Sequence, residues 1–157
     1  MSVPALNRVV REIMVNNAAD GVTVSGGDPL EQPDELLDFL EGINEIATDI
    51  LIYTGYTLAE LTSLWPASRL DALKNHAAVL IDGRYIDGQN DGRSPLTGSS
   101  NQRIHYFDES LRPRYEEYMR THGRVVQNYY YGNNLVSVGI PQQVTVNSEQ
   151  LVGSRQL

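Results

Sequence analysis

A chain of 157 residues that is 41% hydrophobic and 20% charged is long enough for one packed domain and too apolar for wholesale disorder. Twenty acidic residues against twelve basic ones leave a formal net charge of −8, which disfavours a nucleic-acid-binding surface. Cysteine is absent, which excludes a disulfide, a thiolate nucleophile and a cysteine-held iron–sulfur cluster in this chain alone.

No apolar stretch approaches the roughly 20 residues of a membrane span, so no membrane partner is expected. The start, MSVPALNRVVREIMVNN, carries Glu12 where a signal peptide needs a continuous apolar centre, and the cytoplasm is the expected compartment. His76, His105 and His122 stand far apart without helical i,i+4 spacing, so no metal site is expected from them.

Residues 4–17 place Leu6, Val9, Val10, Ile13 and Met14 on one helical stripe. GVTVS (21–25) then alternates as a short strand. Pro33 with Asp34 and Glu35 starts a second helix, since proline suits a first turn and carboxylates favour the positive end of the helix dipole. Its apolar face, Leu36, Leu37, Leu40 and Ile43, continues to about Ile46. DILIYTGY (49–56) reads as a buried strand, Leu58–Trp65 as a short helix, and Arg69–Asn75 as a further helical turn or two. AAVLID (77–82) is a third buried strand. This αβαβαβ order predicts an α/β fold with a parallel sheet and right-handed helical crossovers.

Residues 82–103 follow as a long stretch rich in Gly, Asp, Ser and Asn, a length that is usually functional or disordered. Residues 88–103 are expected to face a partner or close over a pocket; a solvated polar connection is the plain alternative. Residues 109–121 read as helical, with Glu116, Glu117 and Arg120 on an exposed face. RVVQNYYYGNNLVSVGIP reads as a hairpin turning at Gly132-Asn133-Asn134. Tyr129–Tyr131 are assigned to hairpin packing rather than to stacking on bases. One domain over residues 1–141 and a polar tail over 142–157 are expected.

In a parallel α/β sheet, ligands bind beyond the carboxyl ends of the strands. SGGDP, TGY and DGR fall at those ends. Gly26 and Gly27 would let a ligand approach the backbone with no Cβ in the way. Their carbonyls and the Asp28 carboxylate suit a cationic amino group better than a phosphate, and Arg84 can answer a carboxylate on the same ligand. A zwitterionic, amino-acid-like ligand fits this set, although each turn alone also reads as an ordinary chain reversal. The pattern is not a phosphate loop. No paired carboxylates or Ser/His/Asp arrangement stands out as a catalytic set.

GVTVSGGDPLEQPDELLDFL, ILIYTGYTLAEL and VLIDGRYIDGQNDGRSPLTGSSNQRIHYF together resemble the radical S-adenosylmethionine activating enzymes. The likeness is strongest to the activating protein of the anaerobic ribonucleotide reductase and its single-cluster relatives, over residues 8–107. LVSVGIP also looks like the end of such proteins. The resemblance implies a partial (βα) barrel of mainly parallel strands with a C-terminal β-hairpin. Ser25, Gly26, Gly27 and Asp28 would hold the methionyl amino group of S-adenosylmethionine. Thr54, Asp82 and Arg84 would line the cofactor site or a nearby cation. A glycyl-radical enzyme would be the partner.

The same resemblance exposes a departure. The family's C-x-x-x-C-x-x-C loop belongs after a first strand that lies upstream of these residues, so the 4Fe-4S cluster expected of the family is not bindable by this chain alone. The polypeptide is therefore expected to hold the cofactor without performing radical chemistry by itself. The cluster would come from an upstream segment or a cysteine-bearing partner chain. The alternative is a cluster-less pseudoenzyme acting as a protein-binding module. The missing strand would leave GVTVS with a bare edge, through which a homo-oligomer could also form.

Overall fold

The computed structural model describes residues 1–17, 19–90, 92–132 and 134–140. The first helix, α1 (Val3–Asn17), lays Val3, Val10 and Met14 against the core, although none of its residues is fully buried. It crosses α2 (Pro33–Ile43) closely at Gly42, where a Cβ would run into the Asn7 side chain, and Arg11 donates to the Gly42 carbonyl. The α2 helix starts at Pro33 and buries Leu36, Phe39, Leu40 and Ile43 on one face.

Strands β1 (Val22–Val24), β2 (Ile50–Tyr53) and β3 (Val79–Asp82) are parallel, with Val22 opposite Ile50 and Ile52 opposite Leu80. Helices α3 (Leu58–Leu64) and α4 (Ala67–His76) form the crossover between β2 and β3. Thr57 caps α3 by accepting from Glu60 N, while the Glu60 carboxylate accepts from Thr57 N, so two otherwise orphaned donors are satisfied reciprocally.

Strand alternation divides the core in two. Ile50, Ile52 and Leu80 point into the layer of α2 and α4 with Leu40, Ile43, Leu61 and Leu73. Leu51, Val79 and Ile81 point the other way, toward Leu96, Ile104, Tyr106 and Tyr115. Tyr115 belongs to α5 (Arg112–Thr121). This second face was not anticipated, because β4 (Arg103–Tyr106) begins at the last residue of the long polar stretch and reads as no element of its own. It pairs antiparallel with β3, setting Asp82 opposite Arg103 and Leu80 opposite His105.

The sheet order is β1-β2-β3-β4, so the sheet is mixed and open, with β1 and β4 at its edges. The α/β class, the parallel strands and the C-terminal hairpin stand as expected; closure into a barrel does not occur among the described residues. The hairpin pairs β5 (Val126–Tyr131) with β6 (Asn134–Gly139), with Tyr129 opposite Val136, and β6 is exposed along its whole length. Asn133 in its turn, and the polar tail over 142–157, lie outside the described residues. Among the described residues no helix is long and apolar enough to cross a membrane.

Candidate functional site

The carboxyl ends of the three parallel strands carry the three turns and bring them together. After β1, Gly26 and Gly27 adopt φ of +85° and +30°, backbone that glycine takes without strain. A Cβ built on either would meet nothing within 4 Å, so open space lies directly over this backbone. Asp28 then turns inward. Its carboxylate accepts from Leu30 N (3.0 Å), capping the single turn Pro29–Glu31, and from Gly55 N (2.7 Å). The buried Thr54 hydroxyl lies 2.9 and 3.0 Å from its two oxygens and itself accepts from Tyr56 N.

The TGY turn is tied in the same way to the DGR turn. Gly83 N donates to the Tyr56 carbonyl at 3.0 Å. The buried Asp82 accepts from Leu58 N (2.7 Å) at the start of α3 and pairs with His105 Nε2 (2.8 Å). His105 and Asp82 are diagonal neighbours on one face of the β3–β4 pair, within reach for long side chains. Tyr56 donates to Glu31, and that bond, with lesser burial, raises the phenol's pKa. Hydrogen bonds from the Thr57 backbone and hydroxyl hold Glu60 below the usual carboxylate range.

Two concavities meet at Gly55 and Gly83. The smaller, about 150 Å³, is bounded by Gly26, Gly27, Asp28 and Thr54. The larger, about 740 Å³, carries Glu60, Asp82, Arg84, Arg103 and His105. The guanidinium groups of Arg84 and Arg103 make no hydrogen bond or ion pair among the described residues, and both residues are exposed. A Cβ on Gly55 would come 3.3 Å from both Arg84 Cγ and Asp28 Oδ2, so the saddle between the two spaces suits glycine.

Of the residues singled out in the sequence, Gly26, Gly27, Asp28 and Thr54 share the small pocket, and Asp82 and Arg84 line the adjoining groove. Ser25 lies instead along a groove of about 490 Å³ beside β1, α1 and α2. The reading of the sequence missed His105 and Arg103, because nothing in RIHYF announces a strand that turns back onto β3. It also missed that Asp28 spends most of its accepting capacity inside the protein.

An open, mainly parallel α/β sheet with glycine turns gathered at its strand ends places this chain in the α/β class, with its turns at the end of the sheet where α/β folds take ligands. A family model described as a 4Fe-4S single cluster domain matches residues 1–105, and the chain belongs to that family. It is similar to the anaerobic ribonucleoside-triphosphate reductase-activating protein of Vibrio cholerae serotype O1, at 39% identity over 92 residues, which are 55% of this chain and 56% of that protein. The protein of the same name from Haemophilus influenzae is 35% identical over 109 residues, 63% of this chain and 67% of its own length. That from Escherichia coli (strain K12) is 34% identical over 92 residues, 55% and 56% of the two chains. The chain thus spans a little more than half the length of the Vibrio and Escherichia relatives. No solved structure matches it.

The residues present do not fit a 4Fe-4S cluster. Such clusters are held by cysteine thiolates, and the chain has no cysteine. Among the described residues no three His, Asp or Glu side chains gather as metal ligands either. An amino-acid-like ligand fits better: open backbone at Gly26–Gly27, a neighbouring carboxylate and a hydrogen-bond-free guanidinium form a charge-complementary set.

Proposed function

We propose that this chain is the S-adenosylmethionine-holding part of a glycyl-radical activase of the anaerobic ribonucleotide reductase type. The open backbone over Gly26 and Gly27, beside Asp28 and facing Arg84 across the Gly55–Gly83 saddle, is the observation that carries this reading. The relatives' names supply the reaction class and the reductase as partner. The open sheet then corresponds to part of a partial barrel, and residues 1–141 to the domain.

When bound, S-adenosylmethionine supplies a sulfonium centre whose reductive cleavage yields a radical. The carbonyls of Gly26 and Gly27 would accept from the methionyl ammonium. Asp28 contributes what remains of its accepting capacity and fixes the turn through Leu30 N, Thr54 and Gly55 N. Arg84 pairs with the ligand carboxylate, and Asp82 holds the start of α3 and His105 in place beside it. Cluster ligands come from a cysteine-bearing segment or partner seated on the free edge of β1, and the chain alone does no radical chemistry. The absence of cysteine also favours a second reading, a cluster-less pseudoenzyme that acts as a protein-binding module.

Calorimetric titration of S-adenosylmethionine into the purified chain tests the first reading. Arg84→Ala is the better control, because the Arg84 side chain makes no hydrogen bond among the described residues, whereas the Asp28 side chain holds the loop together. A Kd of about 100 μM or tighter, roughly −5.5 kcal/mol, weakened at least tenfold in Arg84→Ala, is expected. No heat at concentrations well above that value overturns cofactor binding and leaves the pseudoenzyme.

A further inference from the structure

Beyond Arg103, the GSSNQR segment (98–103) has no role in the site as described so far, yet it touches it. Asn101 Nδ2 donates to the Arg84 carbonyl at 2.8 Å, and Gln102 Nε2 donates to the Gly83 carbonyl at 2.9 Å. Two successive side-chain amides thus hold two successive carbonyls of the DGR turn. The other end of each amide is also engaged. Gln102 Oε1 accepts from Gly98 N (2.7 Å) and Ser99 N (3.4 Å); Asn101 Oδ1 accepts from the buried Ser99 hydroxyl (2.7 Å), which in turn accepts from Ile86 N. An amide flip would set an NH₂ group against those donors, so the orientation of each amide is locked.

We infer that Asn101 and Gln102 are positioning residues that hold the Asp82-Gly83-Arg84 turn in the form that presents Arg84 to a ligand. Gly83 sits at φ +95°, with its N–H fixed to the Tyr56 carbonyl and its C=O fixed to Gln102. Both polar groups of its backbone are therefore committed. The Arg84 carbonyl is held by Asn101, while its guanidinium makes no hydrogen bond, feels the Glu60 carboxylate at longer range, and lines the groove with Arg103 and His105. An arginine whose backbone is pinned on both sides needs less ordering when it pairs with a carboxylate, and preorganisation of that kind appears as affinity. This rests on the cofactor reading above for its ligand, not for its geometry.

Gln102→Glu and Asn101→Asp each replace the donor to the turn with a carboxylate oxygen that repels the turn carbonyl, and keep the acceptor end. Backbone ¹⁵N relaxation is measured on both variants and on the parent chain. Order parameters of the Gly83 and Arg84 amides are expected to fall from about 0.85 to below about 0.6, while those of α2 and α4 hold. Unchanged values at both amides in both variants overturn the inference, whether or not S-adenosylmethionine binds. In calorimetry each variant is expected to weaken S-adenosylmethionine at least tenfold, and Arg84→Ala/Gln102→Glu to bind no more weakly than Arg84→Ala alone. Fully additive losses would show that Gln102 acts elsewhere than through Arg84 and also overturn it. A parent chain that binds no S-adenosylmethionine counts against the proposed function, and the relaxation data still decide the inference.

Discussion

The Thr54 hydroxyl bridges both oxygens of the Asp28 carboxylate, at 2.9 and 3.0 Å, and so joins the end of β2 to the glycine turn after β1. A residue that reads in the sequence as a ligand group is first a structural one. Asp28 satisfies two backbone N–H groups and a buried hydroxyl that would otherwise lack partners.

Thr54→Val should therefore cost about 1–2 kcal/mol, since it keeps the volume but strips a donor from Asp28 and an acceptor from Tyr56 N. Asp28→Asn should cost more, about 2–3 kcal/mol, because its NH₂ must face either Leu30 N–H or Gly55 N–H. Thermal melts followed by circular dichroism measure both. At roughly 2–4 °C per kcal/mol for a chain of this size, equal Tm values for Asp28→Asn and the parent would refute the structural role.

The two kinds of glycine should part cleanly on substitution. Gly26→Ala meets open space and should cost only about 1 kcal/mol for its positive φ. Gly21→Ala would drive a Cβ to 2.4 Å from the Asp49 carbonyl, against backbone that cannot step aside, and should cost about 1–3 kcal/mol or more. Urea midpoints in the reverse order would count against the described backbone at both positions. Gly26→Ala should in addition weaken S-adenosylmethionine while leaving most of the stability intact.

Arg124 is buried and spreads its guanidinium over the carbonyls of Ser94, Thr97 and Gly98 and the Asn90 side chain. It is the clamp that orders the long polar loop. Arg124→Ala should cost about 2–4 kcal/mol, because several half-buried acceptors lose a charged donor at once. Limited proteolysis should then cut within residues 88–101 before any helix; a cleavage pattern identical to the parent would contradict the clamp.

Alkaline pH should destabilise the fold through two tyrosines behind the sheet. Burial, with a smaller contribution from Tyr118, pushes Tyr53 up to about 12, and its hydroxyl donates to the Leu96 carbonyl. Burial first, then its 2.6 Å bond to Asp49, also raises Tyr115. An unfolded tyrosine loses its proton near pH 10 while the native one keeps it, so stability is fully present below about pH 10 and is lost as pH rises through 12. The loss from Tyr53 is on the order of 2–3 kcal/mol. Urea midpoints at pH 8, 10 and 11 should fall in that order, more shallowly in Tyr53→Phe; a flat series would remove the argument.

Much of this protein was legible in local pattern. The extent of α1, the Pro33 start of α2, the buried runs of β2 and β3 and the hairpin all lie within a residue or a few of where spacing puts them, although of the α1 stripe only Val10 and Met14 pack on the core while Leu6, Val9 and Ile13 are exposed. Strand β4 was not legible. RIHY is four residues long, follows a polar loop, and faces Ile104 and Tyr106 into one side of the sheet and His105 to the other. So brief an alternation carries almost no periodic signal, and its partner is chosen by the sheet rather than by its own residues.

The amino-acid order settles whatever depends on a few neighbouring residues: where helices start, where glycine must turn the chain, and that no thiolate is present to hold a cluster. What it leaves open is which polar groups close on which. Asp28 meets Thr54 across 26 positions, Asp82 meets His105 across 23, and Gln102 meets Gly83 across 19. Those bonds exist because parallel crossovers and one antiparallel return bring strand ends together, and desolvated polar groups there must then find partners or destabilise the fold.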